Sequence, residues 1–144
     1  MPRNQIQNIM LIGRKKEQKT LKSLLKSDKS EFVAIYGRRR VGKTYLVRET
    51  FNYDFAFQHT GTQNGSKTVQ MEEFTKSLRI AGMKEVPVMK DWYDAFFVLG
   101  NFLAQLPDGK KVIFIDELPW MDTPKSDFVP ALEHFWNGWA TMRT

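Results

Sequence analysis

A short apolar run, Phe32-Val33-Ala34-Ile35-Tyr36, leads directly into Gly37-Arg38-Arg39-Arg40-Val41-Gly42-Lys43-Thr44, and a helix-favouring stretch, Tyr45 to Thr50, follows. Gly-x-x-x-x-Gly-Lys-Thr between a strand and a helix constrains the chain more than any other feature, because it has one well-understood physical use. Gly37 and Gly42 let the backbone turn tightly and approach an anion without a Cβ in the way. Successive amides then point inward at the positive end of the following helix, which makes a nest for phosphate oxygens. Lys43 adds a point charge for the outer phosphates. The Thr44 hydroxyl is a hard oxygen ligand of the kind Mg²⁺ prefers. The bland alternative is a glycine-containing turn before a helix, and the flanking strand and helix argue against it.

A second stretch complements the first. Val112-Ile113-Phe114-Ile115 is followed by Asp116-Glu117, 72 positions after Thr44. A buried strand that delivers an acid at its carboxyl end is how α/β folds bring a carboxylate beside a ligand. By this spacing Asp116 is the candidate second ligand for the ion that Thr44 would hold. Glu117 is the candidate group to orient and deprotonate a water. Alone, an apolar run ending in two acids is a weak signal; with a full phosphate loop it becomes specific, since one ion needs ligands from both.

The rest of the chain alternates strands and helices, the pattern of an α/β domain with a parallel sheet. Residues 1–11 read as a loose lead-in to one domain spanning 1–144. A lysine-rich helix is predicted from about Lys15 to Ser27, with Leu21, Leu24 and Leu25 on one face. A first strand is expected at about Glu31 to Tyr36 and a second over Phe55 to His59. The polar cluster Thr60 to Gly65 reads as a turn. A helix is expected from Lys67 to Ala81, with Met71, Phe74, Leu78 and Ala81 inward and Gly82 as its stop. Asp91 is placed to cap a helix from Trp92 to about Leu106, whose inward face carries Ala95, Leu99, Phe102 and Leu106. Leu118 to Asp122 reads as a loop. A last helix, capped by Ser126 or Asp127 and with Pro130 in its first turn, presents Phe128, Leu132, Phe135 and Trp139.

Composition narrows the function classes. The absence of cysteine excludes disulfides and thiolate metal sites and suits a reducing, cytoplasmic setting. Two histidines, His59 and His134, are too few for a His-rich metal site and read as structural. No apolar run approaches the roughly 18 residues a membrane-spanning helix needs, and the first dozen residues lack a secretory signal's apolar core. A formal charge of +6 suits an anionic ligand such as a nucleotide and permits weak nucleic-acid contact. Six of the basic residues, from Arg14 to Lys26, fall in or beside one helix, where a solvated face is the default.

Three stretches together resemble the archaeal and bacterial ATPases of the AAA+/STAND-like branch of P-loop proteins: Ile12-Gly13-Arg14, Phe32 to Thr44 with its triple arginine, and Ile113-Phe114-Ile115-Asp116-Glu117-Leu118-Pro119-Trp120. The resemblance spans about Ile12 to Trp139. It implies a P-loop NTPase fold and an ATP-binding, Mg²⁺-dependent ATPase core. It also makes Ile12 and Gly13 candidate contacts to the adenine, against the alternative of a turn leading into a helix. ATP, as opposed to GTP, is implied by the resemblance only.

In families of this kind a polar sensor strand lies between the phosphate-loop strand and the Asp-Glu strand, and an arginine finger and a small helical subdomain follow. None of these is present in the 144 residues, so the fold is expected to be a partial one, with nucleotide binding retained and hydrolysis impaired. Both flanking strands would then face a gap. Three ways of closing it are open: direct pairing of the two strands, a strand from another copy, or partial disorder. A phosphotransferase, a non-catalytic nucleotide switch or interaction module, and a DNA-associated ATPase are the rival functions.

Overall fold

The computed structural model describes residues 31–34, 45, 47–49, 51–107, 109 and 111–142, with the backbone alone at 31–34 and 139–142. The elements are β1 (Glu31–Ala34), β2 (Phe57–Thr60), α1 (Lys67–Ala81), α2 (Trp92–Gln105), β3 (Val112–Asp116), a 3₁₀ turn (Leu118–Met121) and α3 (Phe128–Met142). The chain is thus α/β, with a three-stranded parallel sheet in the order β1-β3-β2. The expected helix from Lys15 to Ser27 lies outside the described residues.

β3 is central, and all five of its residues are buried. That is the condition of a parallel strand covered on both faces, and it explains why the segment reads as continuously apolar. Ile113 and Ile115 join Phe57 in one core with the three helices. There Phe74 meets Trp92 edge-on at 5.4 Å, and Phe96 stacks on Phe135 at 5.3 Å. Phe114 takes the opposite face, with its ring 5.2 Å from Phe55, which in turn lies 6.0 Å from Phe51. Val47 and Phe51, in and just after the helical residues that follow the glycine-rich stretch, are buried as well.

Local chemistry sets the helix ends. Ser66 accepts a hydrogen bond from the Val69 amide at the start of α1, and Gly82 ends it at φ 127°, a backbone conformation that only glycine adopts easily. Asp91 caps α2 by accepting from the Asp94 amide at 2.8 Å. The start of α3 departs from expectation. Asp127 sits at φ 58°, outside the extended backbone an N-cap uses, and the buried Ser126 hydroxyl has no hydrogen-bond partner. Phe128, Leu132 and Phe135 are inward as the periodicity implies, and Trp136 is buried beside them; the Trp139 side chain lies outside the description.

Two further expectations are corrected. Leu118 to Met121 is a 3₁₀ turn rather than an irregular loop. The gap expected between β1 and β3 does not exist. The two strands pair directly over Glu31↔Val112 to Ala34↔Ile115, the first of the three routes considered. An unpaired edge between them therefore gives no reason for self-association.

Candidate functional site

The sheet delivers its chemistry at the carboxyl edge. Ala34 is in register with Ile115, as is His59, and Thr60 is in register with Asp116. Asp116 is 7% exposed and Glu117 9%, so both carboxylates are largely withdrawn from bulk water. Side chains alternate along a strand, so Asp116 falls on the same sheet face as Phe114. That is the face packed by Phe55. Ile113 and Ile115 point the other way, into the three-helix core.

Glu117 leaves the strand at φ 54°, ψ 42°. This left-handed conformation costs a non-glycine residue roughly 1–2 kcal/mol, so neighbouring contacts must hold it. They are visible. The Trp120 amide donates to the Glu117 carbonyl at 3.1 Å, and the Gly61 amide donates to the Asp116 carbonyl at 2.9 Å. The chain after β2 passes so close that a Cβ on Gly61 would stand 2.4 Å from the Glu117 carbonyl oxygen. Gly61→Ala is therefore expected to destabilise the fold by about 1–3 kcal/mol, the usual range for overpacking. Urea unfolding measures this directly, and an unchanged midpoint would mean the two loops separate freely.

Behind these loops lies an amide that sequence reasoning missed. Gln70, on α1, has no exposed surface. Its Oε1 accepts from the Thr62 amide at 3.1 Å. Its Nε2 donates to the carbonyls of Thr62 (2.7 Å), Gly65 (3.1 Å) and Trp120 (3.0 Å). Gly65 makes room, since a Cβ there would meet Nε2 at 2.9 Å. A signal for Gln70 was present: it lies four residues before Phe74, on the inward face of α1, where a polar side chain stays only if it is bonded.

His59, one of the two histidines read as structural, is buried on the core side of the sheet. It is 4% exposed, and its Nδ1 shares a 2.7 Å hydrogen bond with Ser77 Oγ, while Nε2 is buried without a partner. Burial lowers its pKa from 6.5 to about 4, against a small opposing pull from Glu73.

Of the residues expected to form the site, Asp116 and Glu117 are described and stand together. Ile12, Gly13, Gly37, Arg38, Arg39, Arg40, Val41, Gly42, Lys43 and Thr44 lie outside the described residues. Among the described residues no group of three His, Cys, Asp or Glu side chains could hold a metal ion. A fully protein-built zinc or calcium cage is not offered there. A carboxylate at a strand end is compatible with Mg²⁺, an ion that keeps several of its waters and takes only one or two carboxylates. No described helix is long and apolar enough to cross a membrane.

Comparison with known proteins adds a distant relative and no family. The chain is 29% identical over 110 residues to a Methanocaldococcus jannaschii protein carrying the name "Uncharacterized protein MJECL04". The alignment takes in 76% of this chain and 22% of that protein, so the chain spans about a fifth of its relative's length. No family model and no solved structure matches.

Proposed function

We propose that the chain is the nucleotide-binding core of a P-loop ATPase, using ATP with Mg²⁺ and working in the cytoplasm. The observation that most supports this reading is that β1 and β3 run parallel in one sheet, with their carboxyl ends on the same edge, although the resembled ATPases keep a further strand between them. This arrangement sets the strand that ends in Asp116 beside the strand whose continuation is the Gly37–Thr44 sequence. Gly37 follows Ala34 by three residues, a reach of at most about 11 Å.

In this reading the main-chain amides from Gly37 to Thr44 receive the phosphate oxygens, with the triple arginine as part of the loop. Lys43 neutralises charge on the outer phosphates. Thr44 and Asp116 supply oxygens for Mg²⁺, which would offset the charge that builds on the phosphate oxygens. Ile12 and Gly13 flank the base. Glu117 accepts the proton of the water whose oxygen attacks the γ-phosphorus, and ADP and phosphate leave. Release of phosphate with no added acceptor separates this from a phosphotransferase.

Lys43→Ala tests the binding half. A charge-assisted contact is worth about 1.5–3 kcal/mol, so the affinity for Mg-ATP in calorimetry should fall by at least about tenfold. Unchanged affinity refutes the assignment.

A further inference from the structure

We propose that Gln70 is a positioning residue for Glu117. This rests on the ATPase reading in so far as it concerns turnover. The clamp itself stands on geometry alone.

Glu117 is flanked by two segments. The first is the 3₁₀ turn, which begins one residue later and folds back through the Trp120 amide onto the Glu117 carbonyl. The second is the strand-to-helix connection after β2, whose Gly61 bonds to the Asp116 carbonyl and packs on the Glu117 carbonyl oxygen. Neither segment is regular sheet, and the left-handed backbone of Glu117 would relax if either moved away. Gln70 is bonded to both. Its amide engages the Thr62 amide and carbonyl and the Gly65 carbonyl on one side, and the Trp120 carbonyl on the other.

Four main-chain groups converge on a single side chain from a third element. The amide orientation is dictated by its surroundings: three carbonyls face Nε2, and one N–H faces Oε1. Two hydrogens serve three acceptors, so one bond is shared. An apolar side chain of equal length would fill the space but take this partner from all four groups, leaving the Thr62 carbonyl with only the Gly65 amide, which donates to it at 3.0 Å. The clamp would open while the sheet beneath it stays paired.

Gln70→Met tests this. Amide exchange at Gly61 and Trp120 should rise at least about tenfold over the parent, with Ile115 on β3 unchanged. Equal rates at Gly61 and Trp120 overturn the clamp. In the same variant turnover should fall at least about tenfold, while the Mg-ATP dissociation constant stays within about threefold. A lowered melting temperature with turnover and affinity both unchanged, or a loss of affinity alone, assigns Gln70 a purely structural role and overturns the proposal. If the parent chain neither binds nor hydrolyses ATP, the ATPase reading fails, and the exchange rates still decide the clamp. Should Gln70→Met not fold, the parent decides: the amides of Gly61, Thr62 and Trp120 must exchange through a common opening. Rates corrected for local sequence that differ more than about a hundredfold overturn it.

Discussion

Glu117→Gln should leave Mg-ATP affinity within about threefold of the parent and cut phosphate release by about 10²–10⁴-fold, the usual contribution of a positioned general base. The substitution keeps side-chain length and shape and exchanges a proton acceptor for an amide that cannot take a proton. It does not alter the backbone demand, because Gln has no easier access than Glu to the left-handed conformation at this position. Binding and turnover therefore separate. Calorimetry with Mg-ATP and a phosphate-release assay on the same preparation measure the two halves. A variant that releases phosphate at the parental rate removes Glu117 from the reaction. A variant that loses affinity as well as rate would give the carboxylate a role in holding the nucleotide.

Acidification from pH 6.5 to 4 should cost the fold about 3 kcal/mol through His59 alone. Its pKa is about 4 in the folded chain and 6.5 as the ordinary value, and that difference converts directly to stability. The direction follows from proton counting. Between the two values the unfolded chain binds a proton that the folded chain refuses, so stability rises with pH across this window. The contribution is fully present above pH 6.5, declines as pH falls, and is lost once pH passes 4.

The cause is mainly burial, since the ring lies between Phe57 and Phe74 with only Ser77 bonded to it. Glu73 pulls the other way. Carboxylates titrate over the lower part of the same window, so the comparison must be differential. Urea unfolding of the parent and of His59→Phe, from pH 7 to 4.5, should give curves whose difference changes by about 2–3 kcal/mol. Parallel curves would mean that the imidazole accepts its proton in place.

How much of this was legible beforehand follows from where the determining contacts lie. α1 begins at Lys67 and ends at Ala81 as the sequence implies, because a glycine stop and an inward stripe lie within the segment. β3 was legible for a related reason: burial on both faces leaves an uninterrupted apolar run. β2 was displaced by two residues at its start and one at its end. Its extent is set by pairing with Ile113 to Asp116, and nothing in Phe55 to Thr60 records that register. The cap expected from Ser126 or Asp127 failed because α3 is positioned by Phe128 and Trp136 in the core, which overrides the local capping preference.

For the site, the sequence by itself determined the acidic pair and the strand that carries it, since an apolar run ending in carboxylates is written in consecutive residues. It could not show that β1 would pair directly with β3, because pairing partners about eighty residues apart are chosen by the whole sheet. Nor could it reveal the left-handed turn at Glu117, the closeness of Gly61, or the four bonds of Gln70. Those depend on three segments meeting at the sheet's carboxyl edge. A buried amide acquires its role only from the backbone groups that tertiary folding brings within reach.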